Sequence, residues 1–234
     1  MQTFSPKLDM LPPAQRRLWP QLTKIHNVFV LYGGTAISLY LGHRPSVDFD
    51  FFANASFQPN RLLAHMPFLA KAKVTQSEPN MLTLITDDPE PVKISFLGVP
   101  NLARLLPPLT CEGNGLQVAS LLDLSGTKAA VVQQRAESKD YRDIDAILSN
   151  TQIDLPMALG AARAMYGPQF SPLSTLKALS YFEDGDLPTL GKQIRDRLAK
   201  AARTVDLEKI PTIPIHEPPQ STTPTSNRTR PFAL

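Results

Sequence analysis

The chain has 234 residues, 42% hydrophobic and 19% charged, proportions that exclude a fibrous or wholly disordered protein and allow a full core. Its net charge of +3 and pI near 9.0 suit a phosphate-bearing partner without demanding one. One cysteine, Cys111, excludes an internal disulfide, and no apolar run approaches the roughly eighteen residues of a membrane helix.

Near the start, Pro12, Pro13, Arg16 and Arg17 interrupt any secretory signal core, so a cytoplasmic protein is expected. A first helix is expected from Pro12 to His26, with Leu18, Leu22 and Ile25 on one face and a kink at Pro20. Val28 to Tyr32 reads as a buried strand that ends at Gly33-Gly34. Thr35 to Leu41 reads as a short helix stopped by Gly42. Val47 to Phe52 alternates Asp with Val and Phe, the pattern of a strand with one buried face. A helix over Gln58–Leu69 should follow, then strands over Lys73–Ser77, Leu82–Thr86 and Val92–Val99, the first two joined at Pro79-Asn80.

From Val118 to Val205 helical spacing takes over, with breaks expected at Ser125-Gly126, Pro156, Gly167-Pro168 and Gly185. Ser171-Pro172 is a helix start and Gly185 a stop. Strands mixed with helices, followed by helices alone, predict an α+β fold with a helical C-terminal half. The expected division is an α/β core over 1–115, a helical region over 116–210, and a disordered tail over 211–234. That tail holds six prolines and little apolar bulk.

The chemistry is concentrated between Leu31 and Phe52. A strand ends, Gly33 and Gly34 follow without a Cβ, and a helix begins at Thr35. Backbone N–H groups there can approach a triphosphate at the positive end of a helix dipole, and Thr35 can add a hydroxyl. Turn geometry alone also uses paired glycines. Asp48 and Asp50 sit at i and i+2 on a strand, so both carboxylates project from one face. Like charges there repel unless a divalent cation lies between them. An exposed edge strand is the plainer alternative, but Phe49, Phe51 and Phe52 point to a buried one. Further on, Lys128 and Arg135 share one helical face, and Asp140 and Asp143 another. Ordinary surface ion pairs would look the same.

Taken together, these residues resemble the nucleotidyltransferase superfamily that shares its fold with DNA polymerase β. Gly33-Gly34-Thr35-Ala36, then Arg44-Pro45-Ser46-Val47-Asp48-Phe49-Asp50-Phe51, then Lys128, then Lys139-Asp140-Tyr141-Arg142-Asp143-Ile144 are most similar to the AbiEii/AbiGii-type toxins of type IV toxin–antitoxin systems. The resemblance covers about residues 25 to 150. It implies a polymerase β-like mixed sheet with helices. It also implies a triphosphate held by Gly33, Gly34, Thr35 and Ser46, Mg²⁺ held by Asp48 and Asp50, and Lys128 on phosphate. Asp143 would orient Lys128 or act as a base. The implied reaction moves NMP from an NTP to an acceptor hydroxyl of RNA (tRNA) or protein, and a cognate antitoxin is the implied partner. No membrane partner is implied.

One position departs from the superfamily pattern. A later strand often supplies a third carboxylate, whereas Val92–Leu97 offers Lys93 and Ser95. Two rival readings therefore stay open: transfer to a small molecule of the antibiotic type, and a nucleotide-binding protein with a degenerate site. Elsewhere, Lys192, Arg195, Lys200 and Arg203 form a basic arc on an amphipathic helix over Leu190–Val205, which could meet RNA or only water. His43 and His65 lack partners at zinc spacing, and Cys111, read as lying in a Gly-rich loop, lacks a nearby His for thiol chemistry.

Overall fold

A computed structural model describes residues 2–86 and 90–216. Its first half contains β1 (Thr3–Phe4), α1 (Pro13–Leu18), β2 (Val30–Tyr32), α2 (Gly33–Leu41), β3 (Asp48–Ala53) and α3 (Pro59–Ala64). The sheet is completed by β4 (Lys73–Glu78), β5 (Met81–Thr86), β6 (Val92–Gly98), β7 (Leu109–Cys111) and β8 (Gln117–Val118). Helices α4 (Leu121–Val131), α5 (Ser138–Asn150), α6 (Leu155–Tyr166), α7 (Pro172–Ala178) and α8 (Lys192–Thr204) follow. The fold is α+β, as expected.

The eight strands form one mixed sheet in the order β1-β7-β8-β2-β3-β6-β5-β4. At its centre β3 runs parallel to β6 and antiparallel to β2, with β5 antiparallel to β6 and β4 to β5. The period-2 alternation decides which face is core. Phe49 and Phe51 of β3, Leu82 and Leu84 of β5, and Ile94 and Phe96 of β6 are fully buried. Trp19, Leu22, Phe29 and Leu62 join them in one apolar cluster. A second cluster gathers Tyr141, Ile144, Leu159, Leu179 and Leu198 within the helical half. Helix α2 packs on both α4 and α5, which ties the halves together.

Several expectations need correcting. The first helix ends at Leu18, and Trp19–Lys24 continues as a 3₁₀ turn with Pro20 in its first turn. Ser125-Gly126 is no break: α4 runs through it. Gly126 is there because a Cβ would lie 3.0 Å from the Ala162 backbone nitrogen, so α4 and α6 can touch. Ser171 does cap α7, accepting from the Ser174 N–H, but α7 stops at Ala178, well before Gly185. Gly185 has φ +53° and passes so close to the Ala136 carbonyl that a Cβ would collide with it. Strands β1, β7 and β8, only two or three residues long, were too short to show a period; Cys111 ends β7 and is buried rather than lying in a loop.

Residues 211–216, expected within the disordered tail, pack against the rest of the chain. Ile213 packs against the first cluster, Arg163 donates to the Ile210 carbonyl at 2.8 Å, and the His216 N–H donates to the Arg104 carbonyl at 2.9 Å. Arg163 also donates to the Pro211 carbonyl at 3.4 Å, so these contacts and Ile213 seat 211–216; residues 217–234 lie outside the described residues. Among the described residues, no helix is long and apolar enough to cross a membrane.

Candidate active site

The site starts at the junction of β2 and α2. Gly33 has φ +74°, a conformation that disfavours any side chain. A Cβ on Gly33 would lie 3.0 Å from Asp50 Oδ2, and one on Gly34 would lie 2.4 Å from Arg44 Nη2 and 3.3 Å from Asp143 Oδ2. Both glycines are therefore required by crowding around the turn. No side chain caps α2, so the first N–H groups of this nine-residue helix remain available to an anion.

Thr35 plays a different part from the one expected. It is buried, and its hydroxyl donates to the Asp48 backbone carbonyl. That bond fixes β3 against α2 and uses the hydroxyl, leaving only the Thr35 backbone for a phosphate. Ser46 does line the cleft, beside Gly33, Gly34 and Arg44.

Asp48 and Asp50 project from β3 into the same cleft, which has a volume of about 640 Å³, within the usual range for ligand sites. Lys93 Nζ is 3.6 Å from Asp48 Oδ2. Across the β3–β6 ladder, Ser95 stands opposite Asp50 and hydrogen-bonds its carboxylate. Burial pushes the Asp50 carboxyl above the usual range and the Asp48 charge adds to this, against Lys93, Ser95 and Lys128. Among the described residues, no group of three or more His, Cys, Asp or Glu is placed to hold a metal. The pair nonetheless fits a hard cation: two half-buried carboxylates share one face, and enclosure together with the Asp48 charge opposes ionisation of Asp50.

Lys128 of α4 reaches the cleft from the helical half, although the residue is only 6% exposed. Its ammonium sits 2.5 Å from Asp140 Oδ1 and 2.7 Å from Asp143 Oδ2, both on α5. Asp143 also accepts from Arg44 Nε at 2.7 Å and Nη2 at 2.9 Å, and from His43 Nε2 at 2.7 Å. Arg135 Nε donates to Asp140 at 2.8 Å. Burial alone would raise both carboxyls. For Asp143 the His43 hydrogen bond, Lys128 and Arg44 outweigh it, and for Asp140 Lys128 and Arg135 do, so both are held below the usual range. Asp143 is fully buried and always ionised near neutrality, an anchor for Lys128 and Arg44. A base role does not suit it.

The structure thus gathers Gly33, Gly34, Ser46, Asp48, Asp50 and Lys128 around one cleft, with Asp143 behind it. Reading the sequence missed the His43–Arg44 clamp. His43 lacks a zinc partner there but not a carboxylate, and Arg44 lay inside a quoted motif without a role. Lys93 was noted only as a missing acid.

Residues 18–219 match the profile of the nucleotidyl transferase AbiEii toxin family, type IV toxin–antitoxin system. An uncharacterised protein of Aquifex aeolicus (strain VF5) is 29% identical over 163 residues, covering 68% of this chain and 76% of its own length. Two solved structures share the fold. One, a provisionally assigned nucleotidyltransferase from H. pylori, has TM-score 0.55 at 15% identity, over 81% of this chain and 91% of that one. The other is MenT4, a nucleotidyltransferase toxin from Mycobacterium tuberculosis H37Rv, with TM-score 0.53 at 15% identity, over 82% and 84%. With a family profile spanning most of the chain and a nucleotidyltransferase cleft built as described, the chain belongs to the AbiEii nucleotidyl transferase toxin family.

Proposed function

We propose that this nucleotidyltransferase moves NMP from an NTP to a hydroxyl of RNA, a tRNA end first of all, or of a protein. The observation that carries the proposal is the meeting of three groups in one cleft. They are the open N-terminus of α2 at Gly33-Gly34, the Asp48–Asp50 pair, and the Lys128 ammonium. The backbone N–H groups and the Ser46 hydroxyl hold the triphosphate, and Lys128 places its charge on it. Asp48 and Asp50 would hold Mg²⁺. Bound there, the ion would neutralise phosphate charge and help orient the NTP.

In the transfer, the acceptor oxygen bonds to the α-phosphorus as the bond to the bridging oxygen breaks. Pyrophosphate leaves, and the hydroxyl proton passes to solvent. Lys128 stabilises charge that grows on the leaving phosphates, and Asp143 with Arg44 keeps it aimed. On this reading residues 1–115 form the catalytic core and 116–210 complete it by supplying Lys128. A cognate antitoxin and a cytoplasmic setting belong to the same proposal.

The test incubates the purified protein with each NTP labelled at the α-phosphate, Mg²⁺, and total RNA, total protein or a panel of aminoglycosides. Label should enter RNA or protein and should stay free when Mg²⁺ is chelated. Label on an aminoglycoside alone, or NTP binding without pyrophosphate release, would overturn the proposal.

A further inference from the structure

One strand away from the acidic pair, the sheet holds a serine and a lysine where a third acid would complete the site. Strand β6 runs parallel to β3, with Ser95 directly beside Asp50 and Lys93 beside Asp48. Lys93 and Ser95 are two residues apart, so they share one sheet face, and both line the cleft. A carboxylate at position 95 would stand one strand spacing, roughly 4.8 Å, from the Asp50 backbone. Ser95 brings a neutral hydroxyl instead, hydrogen-bonded to the Asp50 carboxylate. Lys93 brings the opposite charge: its ammonium lies 3.6 Å from Asp48 Oδ2, on a side chain that is 48% exposed. Among the described residues, no third His, Cys, Asp or Glu joins the pair as a ligand.

This arrangement limits how many ions the site can hold. Sites that use two divalent ions keep them roughly 3.5–4 Å apart, clamping the attacking and leaving oxygens. Asp48, Asp50 and the triphosphate oxygens suffice for one hard ion. A second ion would find no carboxylate at position 95 and an ammonium already on Asp48. The two edges of β3 also differ. The phosphate turn follows Tyr32, which pairs with Asp50 from the β2 side, whereas Lys93 and Ser95 flank the pair from the β6 side. Attacking oxygen, phosphorus and leaving oxygen lie roughly in line. With the leaving oxygen toward the turn, the acceptor oxygen falls on the Lys93 side.

We infer that the site takes a single divalent ion, and that Lys93 supplies as a fixed ammonium the positive charge a second ion would bring to the acceptor oxygen. The inference rests on the transferase reading above. Lys93 neither gives up nor takes a proton. It donates a hydrogen bond to the acceptor oxygen as that oxygen bonds to phosphorus, and the hydroxyl proton leaves to solvent.

Counting ions tests this without any turnover. Equilibrium dialysis of the full chain with saturating α,β-methylene analogues of the NTPs, which cannot transfer, should retain one Mn²⁺ per chain. Two ions, or none, would overturn the inference. Lys93→Ala, at a half-exposed position, should leave the melting temperature and NTP affinity unchanged and lower transfer by about 10²-fold. Its residual transfer should keep rising with Mg²⁺ beyond the concentration that saturates wild type, because an ion can enter the vacated place. Unchanged transfer, or a loss that added Mg²⁺ does not move, would overturn Lys93's part. Lys93→Ala combined with Ser95→Asp restores three acids and should retain two Mn²⁺; one ion on the folded double variant would count against the inference. Ser95 is only 7% exposed, so if that variant fails to fold, the wild-type count and Lys93→Ala still decide. A wild type that held nucleotide and one ion but transferred to no acceptor would end the transferase reading and Lys93's part in it, while the single-ion site would stand.

Discussion

Two pairs of aspartates in this molecule meet opposite fates. Asp48 and Asp50 stand two residues apart on a strand; Asp140 and Asp143 stand three apart on a helix, both fully buried. Burial opposes ionisation in both places. At Asp50 burial and the charge of Asp48 outweigh Lys93, Ser95 and Lys128, and the carboxyl rises. At Asp143, Lys128, Arg44 and His43 converge, and it falls. Cationic partners, not depth, decide the sign. The first pair has Lys93 at 3.6 Å from Asp48 and Asp50 is still raised, so a bound cation would relieve it. The second is neutralised internally and acts as a fixed anchor.

The largest test of this contrast removes the residue that links the pairs. Lys128→Ala should lower transfer by at least about 10²-fold. It should also cost about 3–5 kcal/mol of stability, since Asp140 and Asp143 would keep buried charge with one cation fewer. At 6% exposure Lys128 is no surface residue, so its removal reaches the fold as well as the chemistry. Lys128→Arg should restore little activity, because a planar fork does not replace a compact ammonium. Near-normal turnover in single-turnover assays of the alanine variant would break the link.

Next in size is Asp143→Asn, for which urea unfolding should show a loss of about 3–5 kcal/mol at pH 7. The sign with pH follows from the lowered carboxyl. Its contribution is present above the unfolded value, about 3.9, and is lost as pH falls below it toward the folded value. The wild type should therefore lose stability between pH 5 and 3 more steeply than the variant, and equal slopes would contradict the anchor role.

Asp48→Asn and Asp50→Asn should behave in the opposite way. Each should weaken Mg²⁺-dependent NTP binding, by about tenfold or ~1.4 kcal/mol in calorimetry. With a chelator present, Asp50→Asn should melt no lower than wild type. A raised carboxyl costs stability above its unfolded value, and that cost disappears as pH falls through the folded value. The smallest effect comes from the ion alone. Mg²⁺ should raise the wild-type melting temperature by a few degrees at pH 7 and by less as pH falls, because the raised Asp50 carboxyl takes up a proton sooner than an ordinary one. A shift independent of pH would mean the ion binds elsewhere.

The legible parts of the fold were those with local cause. Phe49, Phe51 and their alternation with Asp48 and Asp50 announce a strand and its two faces within six residues. Gly33 and Gly42, both at positive φ, mark the ends of α2 by conformational demand, and Gly34 is set by the crowding of Arg44. Short pairings such as β1 with β7 leave no periodic trace, and Gly126 reads as a breaker because its reason, Ala162 of another helix, is distant in sequence. In the site, Lys128 and Asp143 came from a family resemblance, since no spacing could place them beside Asp50. The His43–Arg44 clamp had no local signal at all, and the hydroxyl of Thr35 turned toward backbone for a reason visible only in three dimensions.

The clamp also has a consequence for the order of events as the protein is made. His43 and Asp143 are 100 residues apart, and Arg44 and Asp143 are 99. While the polypeptide is being synthesised, the Gly33-Gly34 turn emerges from the ribosome long before α5, with neither Asp143 nor Lys128 beside it. On the proposed reading, the cleft would be complete, and transfer possible, only once the helical half had docked.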